Sequence, residues 1–350
     1  MKILSYTIAL VIGLLAIHPP IGFNLPVMVN SFAWVYLVII SGLFGMYLIF
    51  TKIPLSLKVL TVYLFISCFI SKAPYCSFNS YIVLIASLYF YLACKYADFK
   101  PILNVIEAVF WFQVILATMQ LLGKDTLINF DRPEPVFLGS VMQYMRFGSL
   151  LAIMTPFLVI KSKWYLIPIF TVCVLSQASS FAFALVGGSM VYAFLCAGKY
   201  KRIILGSLIA FGIGFMLYDN GSFSTAVSCG RLPVWGMIAK TCMQHPIVGW
   251  GQATFSPIFP ILVGGNPFQQ CHNDWLQILF ETGIIGFGII AAYTISLVKR
   301  LYIRQEYILI SGLVLIAVNM FFAFPMRQTQ TALLMVAYLG LCENKLRRIF

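Results

Sequence analysis

Charged residues are scarce in this sequence, and acidic residues are the scarcest. Only 9% of the 350 residues are charged, with 10 Asp and Glu against 23 Lys and Arg. A soluble domain is about a quarter charged, so the composition excludes that class of protein. The few carboxylates, and nine cysteines without a Cys-x-x-Cys pair, also leave no pattern typical of a metal site. We expect neither a metal nor another cofactor.

The sequence also lacks the short alternating segments of a membrane barrel, a separable soluble domain and any internal repeat. Instead, 61% of the residues are hydrophobic, the mean hydropathy is +0.95, and the apolar runs are long, which favours membrane helices. The absence of a repeat argues against a transporter built from duplicated halves. We therefore predict an all-α, polytopic helical bundle that forms one integral membrane domain over 1–350.

The apolar runs predict about twelve membrane spans, since one span needs about 20 apolar residues. The first run begins like a signal peptide but lacks a small-residue cleavage site, so we interpret it as an uncleaved span. One large loop, 219–271, separates the ninth span from the tenth, and loops of this length are usually functional. The spans lie near 2–17, 31–50, 56–71, 76–95, 101–122, 137–160, 164–177, 180–198, 202–218, 273–298, 306–324 and 329–344.

The positive charges predict how these spans are oriented. With a cytoplasmic N-terminus, 16 of the 23 Lys and Arg residues lie at cytoplasmic ends, as the positive-inside rule requires. Both termini are then cytoplasmic, the large loop faces outward, and the basic excess needs no nucleic-acid partner. The outward positive residues include four Arg, a side chain suited to bidentate phosphate binding. The outward set is Lys72, Lys124, Arg132, Arg146, Arg231, Lys240 and Arg327.

A polar stretch at 271–277 joins the large loop to the tenth span. On a helix starting near His272, the imidazole would lie at the membrane–water boundary, where it is a candidate proton acceptor. Gly283 and Gly286 would follow two to three turns deeper and leave a smooth face for another helix or a lipid chain. Glu281 would lie roughly 13 Å below His272, as a buried hydrogen-bond partner within the bundle.

The residues around this stretch resemble the O-antigen ligase/polymerase superfamily, which are multi-span glycosyltransferases of the GT-C type. The resemblance rests on Arg231, Trp235, the segment 245–251, and a His272-Asn273 pair followed after nine residues by Gly283-Ile284-Ile285-Gly286. It implies that a glycan is transferred from an undecaprenyl diphosphate carrier to an acceptor hydroxyl. It also implies a site that faces the periplasm, on the outer side of a bacterial inner membrane whose lipids surround the protein.

The resemblance suggests a role for each candidate residue. His272 would be the base and Arg231 a catalytic guanidinium that stabilises the diphosphate leaving group. Relatives often carry an Arg in the segment equivalent to 176–181, and this chain has none there. Arg327 is our first choice to complete the diphosphate clamp, before Arg146 and then Arg132. Supporting roles fall to Asn273, Gly283, Gly286 and Trp235.

Several alternatives stay open at this point. Ligation of the glycan to lipid A-core is preferred over polymerisation onto a growing glycan, and a protein O-oligosaccharyltransferase is a third possibility. The alternative that is not an enzyme is a transporter of lipid-linked glycans. Trp235 is read either as an interfacial anchor or as a sugar platform. Cys229 and Cys271 would either form a disulfide that closes the large loop or stay as free thiols.

Overall fold

The computed structural model describes residues 2–17, 53–122, 144–176, 178–197, 231–264 and 270–347, with isolated positions at 201, 203, 206 and 207. Every regular element in these ranges is helical. Short 3-10 segments at Lys163–Tyr165 and Pro325–Arg327 accompany the α-helices. The α-helices are α1 (Lys2–Ile17), α2 (Leu55–Ile70), α3 (Pro74–Tyr96), α4 (Phe99–Leu121), α5 (Tyr144–Lys161), α6 (Leu166–Ser176), α7 (Ser179–Cys196), α8 (Leu232–Cys242), α9 (Phe255–Leu262), α10 (Asp274–Ile303), α11 (Tyr307–Phe322) and α12 (Thr329–Arg347).

These helices coincide with most of the predicted spans. Three predicted spans lie wholly or partly outside the described residues. These are the span near 31–50, most of the span near 202–218, and the start of the span near 137–160. By length and composition, α3, α4, α7 and α10 are able to cross a membrane. Shorter apolar helices cover 55–70, 163–176 and 307–322. The helical class is confirmed, whereas the count of twelve spans stays a prediction.

The chain divides into two compact units. The first comprises 1–21, 93–230 and 300–350. Its helices α7 and α11 approach closely at small residues, because a Cβ added at Gly188 would lie 3.0 Å from the Leu315 Cβ. The Arg300 guanidinium donates to Glu343 over 3.0 Å, and this ion pair links the end of α10 to α12.

The second unit comprises 22–92 and 231–299. It contains α2, most of α3, the helices α8 and α9, and most of α10. Buried apolar side chains from α8, α9, α10 and the turns between them form its core: Val234, Ile238, Cys242, Trp250, Phe255, Phe259, Cys271 and Phe280. The two short helices α8 and α9 lie within 219–271, the range that the sequence predicted as one large loop.

A turn segment, 246–251, pairs its backbone with α10 where that helix breaks. Gly283 has φ 61° and ψ −170°, which is not helical. The Trp250 and Gly251 N–H groups donate to the carbonyls of Phe280 and Glu281, each over 2.9 Å. The Ile284 N–H in turn donates to the Pro246 carbonyl over 2.9 Å. The turn segment therefore satisfies backbone groups that the break would otherwise leave without partners.

This break corrects the prediction that Gly283 and Gly286 share one smooth face of a continuous helix. A Cβ at Gly283 would lie 2.3 Å from the Ile247 carbonyl oxygen, so its lack of a side chain admits the turn segment. At Gly286 a Cβ would meet Thr282 at 2.4 Å and the Tyr63 ring of α2 at 3.0 Å. The predicted close approach to a second helix is therefore correct for Gly286 but not for Gly283.

Candidate active site

Arg231 and His272 come together in the second unit although 40 positions separate them in the sequence. Arg231 directly precedes α8 as its N-cap residue, and His272 lies two residues before α10. The Arg231 side chain is buried, with 8% of its surface exposed, while His272 is half-buried. The positive charge of Arg231 contributes to lowering the His272 pKa. The roles of these two residues stay sequence-based predictions.

His272 has an unusual backbone conformation. Its φ is 53°, in the left-handed region that costs a non-glycine residue of order 1 kcal/mol. The next residue, Asn273, is buried and accepts the Leu276 N–H on its side-chain oxygen over 3.0 Å, which caps the first turn of α10. The helix thus begins just after His272 rather than at it, and its cap holds the chain on one side of the imidazole.

Cys271 is held from two directions on the other side of His272. The Trp235 indole N–H donates to the Cys271 carbonyl over 2.9 Å. The Cys271 N–H donates to the Gln277 side-chain oxygen over 3.4 Å. Trp235 also donates its backbone N–H to the Arg231 carbonyl over 2.9 Å. Trp235 thus connects the Arg231 end of α8 to the residue before His272, a role that neither interpretation from the sequence included.

Burial and charge both lower the pKa of His272. Burial is the larger cause and the positive charge of Arg231 is the second, and together they lower the pKa to about 4. The imidazole is therefore neutral at pH 7 and has a nitrogen able to accept a proton. The same two causes make it a weak base, and offsetting the charge of Arg231 removes only the smaller of them.

A buried polar pair extends below His272 along α10. The Gln277 side-chain N–H donates to a Glu281 carboxylate oxygen over 3.0 Å, and both residues are buried, with 3% and 5% of their surface exposed. Glu281 also accepts the Gly251 N–H on its backbone carbonyl. The prediction that Glu281 is a buried hydrogen-bond partner is confirmed, but its partner Gln277 was not identified from the sequence.

Other residues of the large loop have structural positions. His245 lies in a turn, with its ring edge-on to Trp250 at a centroid distance of 4.3 Å. Trp250 is buried and stacks on Phe280 at 5.8 Å, so it belongs to the core rather than to a membrane interface. Cys271 is a free, buried thiol, and Cys229, its proposed disulfide partner, lies outside the described residues.

Two of the remaining predicted residues, Arg146 and Arg327, lie in the first unit. Arg146 is the third residue of α5 and is half-buried. Arg327 is also half-buried, in the 3-10 segment that follows α11. Arg132 lies outside the described residues. Among the residues that the structure describes, no three His, Cys, Asp or Glu side chains are grouped so as to hold a metal ion.

Two comparisons with known proteins bear on this site. The O-antigen ligase family profile matches residues 164–291, a range that contains Arg231, Trp235, His272 and the break at Gly283. A comparison with curated proteins gives no match.

Proposed function

We propose that this chain transfers a glycan from undecaprenyl diphosphate to an acceptor hydroxyl, because the family match at residues 164–291 supports the O-antigen ligase/polymerase superfamily. The family match and the four helices that are long and apolar enough to cross a membrane support a multi-pass membrane protein. The carrier, the acceptor and the residue roles given below are parts of the proposal.

The observation that carries the proposal is that the buried Arg231 lies near enough to the half-buried His272 for its charge to lower the pKa of the imidazole. Glycan transfer needs a base for the acceptor hydroxyl and positive charge for the departing diphosphate. A guanidinium that is buried and held in place stabilises developing negative charge more strongly than one in water. The pair supplies both requirements within one compact unit.

In the proposed step, the acceptor oxygen attacks the anomeric carbon of the donor sugar. The bond from that carbon to the diphosphate oxygen breaks, and the bond to the acceptor oxygen forms. A His272 nitrogen takes the hydroxyl proton, and the diphosphate leaves with its electron pair and its charge beside Arg231. A donor diphosphate at Arg231 also offsets the charge that lowers the pKa of His272, so donor binding strengthens the base.

Ligation to lipid A-core stays our preferred form of the reaction, with polymerisation as the alternative. Both reactions use the same donor chemistry and differ in the acceptor hydroxyl. Arg327, Arg146 and Arg132 stay sequence-based predictions for further diphosphate-binding residues. We place the reaction at the periplasmic side of the inner membrane, following the distribution of Lys and Arg along the sequence.

Substitution of His272 tests the proposed base directly. We expect His272→Ala to lower the transfer rate at least about 100-fold in purified protein supplied with lipid-linked glycan, which is typical for loss of a general base. His245→Ala is the matched control, because His245 lies in the same unit at a turn. A His272→Ala variant with native activity would remove the proposed base.

A deletion strain separates the two forms of the reaction. Loss of the ligase should abolish surface glycan ladders and leave long lipid-linked polymer. Loss of a polymerase should leave single repeats attached to lipid A-core. Gel analysis of surface glycans and of the lipid-linked pool distinguishes these outcomes.

A further inference from the structure

Gln277 and Glu281 are two buried polar residues for which glycan transfer provides no chemical role. They lie one turn apart on α10 and point to the same side of the helix. Their neighbours in the unit include the apolar core side chains Cys271 and Phe280. Burial of polar groups in such surroundings is costly unless each group is hydrogen-bonded, and here the hydrogen bonds lead to the residue before His272.

The carboxylate determines which way the Gln277 amide points. A carboxylate only accepts hydrogen bonds, so Gln277 presents its NH2 group to Glu281 over 3.0 Å. The amide oxygen of Gln277 is thereby turned toward Cys271, whose N–H it accepts over 3.4 Å. Without Glu281, the amide could rotate by half a turn and present NH2 to the Cys271 N–H, which would repel it.

The amide and the Trp235 indole together fix both peptide groups of Cys271. Trp235 binds the Cys271 carbonyl, which belongs to the peptide bond that leads into His272. The φ of 53° at His272 is unfavourable by itself and persists because the surrounding structure enforces it. The bonds to Cys271 and the Asn273 cap hold the residues on either side of His272.

We propose that Gln277 and Glu281 are a positioning pair that holds His272 in place for proton transfer. The inference rests on the proposed function, because it assumes that His272 is the base. Neither residue contacts the reacting atoms. Their effect on the reaction passes through the Cys271 peptide to the placement of the imidazole.

The hydrogen bonds of the pair can be disrupted and then restored with inverted residues. In Gln277→Glu, two carboxylates face each other and repel. The group at 277 that accepts the Cys271 N–H is therefore displaced. In Glu281→Gln, the orientation of the Gln277 amide is no longer determined. In the double variant Gln277→Glu/Glu281→Gln, the carboxylate at 277 accepts from both the Cys271 N–H and the amide at 281, so the hydrogen bonds are restored.

The experiment measures kcat and KM of the purified full-length protein, its thermal unfolding, and the rate at which diethyl pyrocarbonate modifies His272 at one fixed pH. We expect Gln277→Glu to lower kcat about 10- to 100-fold with KM nearly unchanged, because misplacing a reacting group by about 1 Å costs about 100-fold. The double variant should regain kcat to within about threefold of the native protein. The modification rate of His272 should change in the single variant and return in the double.

Thr282→Val is the matched control for a merely structural effect. Thr282 is buried on the same helix, and its hydroxyl donates to the Ile278 carbonyl over 2.8 Å, without contact to Cys271. We expect it to lower the unfolding temperature without lowering kcat. If the Gln277 and Glu281 variants lower only the unfolding temperature, or if the double variant fails to recover kcat and the native modification rate, the positioning role is wrong.

Failure of the proposed function gives a different result. If His272→Ala keeps native activity, the base assignment fails regardless of the pair. The His272 modification rate still reports on positioning in that case, since it requires no turnover. If His272→Ala is inactive while the pair variants retain native kcat, only the positioning role is rejected.

Discussion

At the scale of single residues, the candidate site depends on a histidine whose properties are set by its surroundings. Burial and Arg231 keep the His272 imidazole neutral far below the pH at which a free histidine gains its proton. This state suits a proton acceptor, but its low pKa also limits how strongly it can pull a proton. The charge at Arg231 therefore affects both the proton transfer to His272 and the departure of the diphosphate in the proposed reaction.

Removing the charge of Arg231 should raise the pKa of His272. We expect Arg231→Gln to raise it from about 4 toward, but not up to, its ordinary value, because burial is the larger cause and remains. The acidic limb of kcat/KM should move to higher pH by the same amount. Diethyl pyrocarbonate modification of His272 as a function of pH measures the pKa without turnover.

Lys240→Gln is the control for this shift, because it removes an exposed positive charge from the same helix, α8. An unchanged or lowered His272 pKa in Arg231→Gln would contradict the assignment.

The lowered pKa of His272 also makes the stability of the folded protein depend on pH. The unfolded chain takes up the proton first, so the contribution of His272 to stability falls as the pH drops from about 6.5 to about 4.

At the scale of elements, the sequence predicted the helices better than their interruptions. Long apolar runs gave bounds for α2, α3 and α4 within a few residues, since a membrane helix must be apolar along its length. The break at Gly283 was missed because a Gly-x-x-Gly spacing is equally typical of close helix packing. Helix α9 was missed because its short run with two prolines, Pro257 and Pro260, resembles a loop.

The sequence likewise predicted some residues of the candidate site and missed others. His272, Arg231 and Asn273 were identified as candidates because they belong to the motif that resembles the O-antigen ligase/polymerase superfamily. Gln277 and the hydrogen bond from Trp235 were not, because they depend on which backbone atoms a fold brings within about 3 Å. Distances of that kind follow from the packing of α8 against the start of α10, and a linear pattern does not contain them.

Glycine is required at the break for two reasons. Gly283 has a positive φ, and a Cβ there would lie 2.3 Å from the Ile247 carbonyl oxygen. We expect Gly283→Ala to destabilise the protein by about 2 kcal/mol or more and to lower activity by displacing the turn segment. Thermal unfolding in detergent, together with the transfer assay, measures both effects.

Gly288→Ala is the matched control on α10, since a Cβ there meets nothing within 4 Å. It should be neutral or stabilising by up to about 1 kcal/mol, because alanine favours the helical conformation. Equal unfolding temperatures for the two variants would show that the break tolerates a side chain and that its geometry is not needed.

At the scale of the whole molecule, the distribution of positive charge predicts which ends of the helices face the cytoplasm. We expect a cysteine at Met243, which is 74% exposed, to react in spheroplasts with a membrane-impermeant maleimide. A cysteine at Ile303, which is 67% exposed, should react only after permeabilisation. Both variants are made with the exposed Cys196 replaced by serine. The opposite pattern would invert the predicted orientation and place the site in the cytoplasm.

The pairing of segment 246–251 with the broken helix restricts how this region tolerates change. Its contacts are main-chain bonds in a fixed register, from Trp250 to Phe280 and from Ile284 to Pro246. The exposed Ile247 side chain can be exchanged without removing those bonds, whereas a Cβ at Gly249 would lie 2.6 Å from the Gly283 nitrogen. Inserting or deleting one residue would shift bonds to the wrong partner. The length of this segment and its glycines therefore limit where tags, loops or foreign epitopes can be grafted near the site.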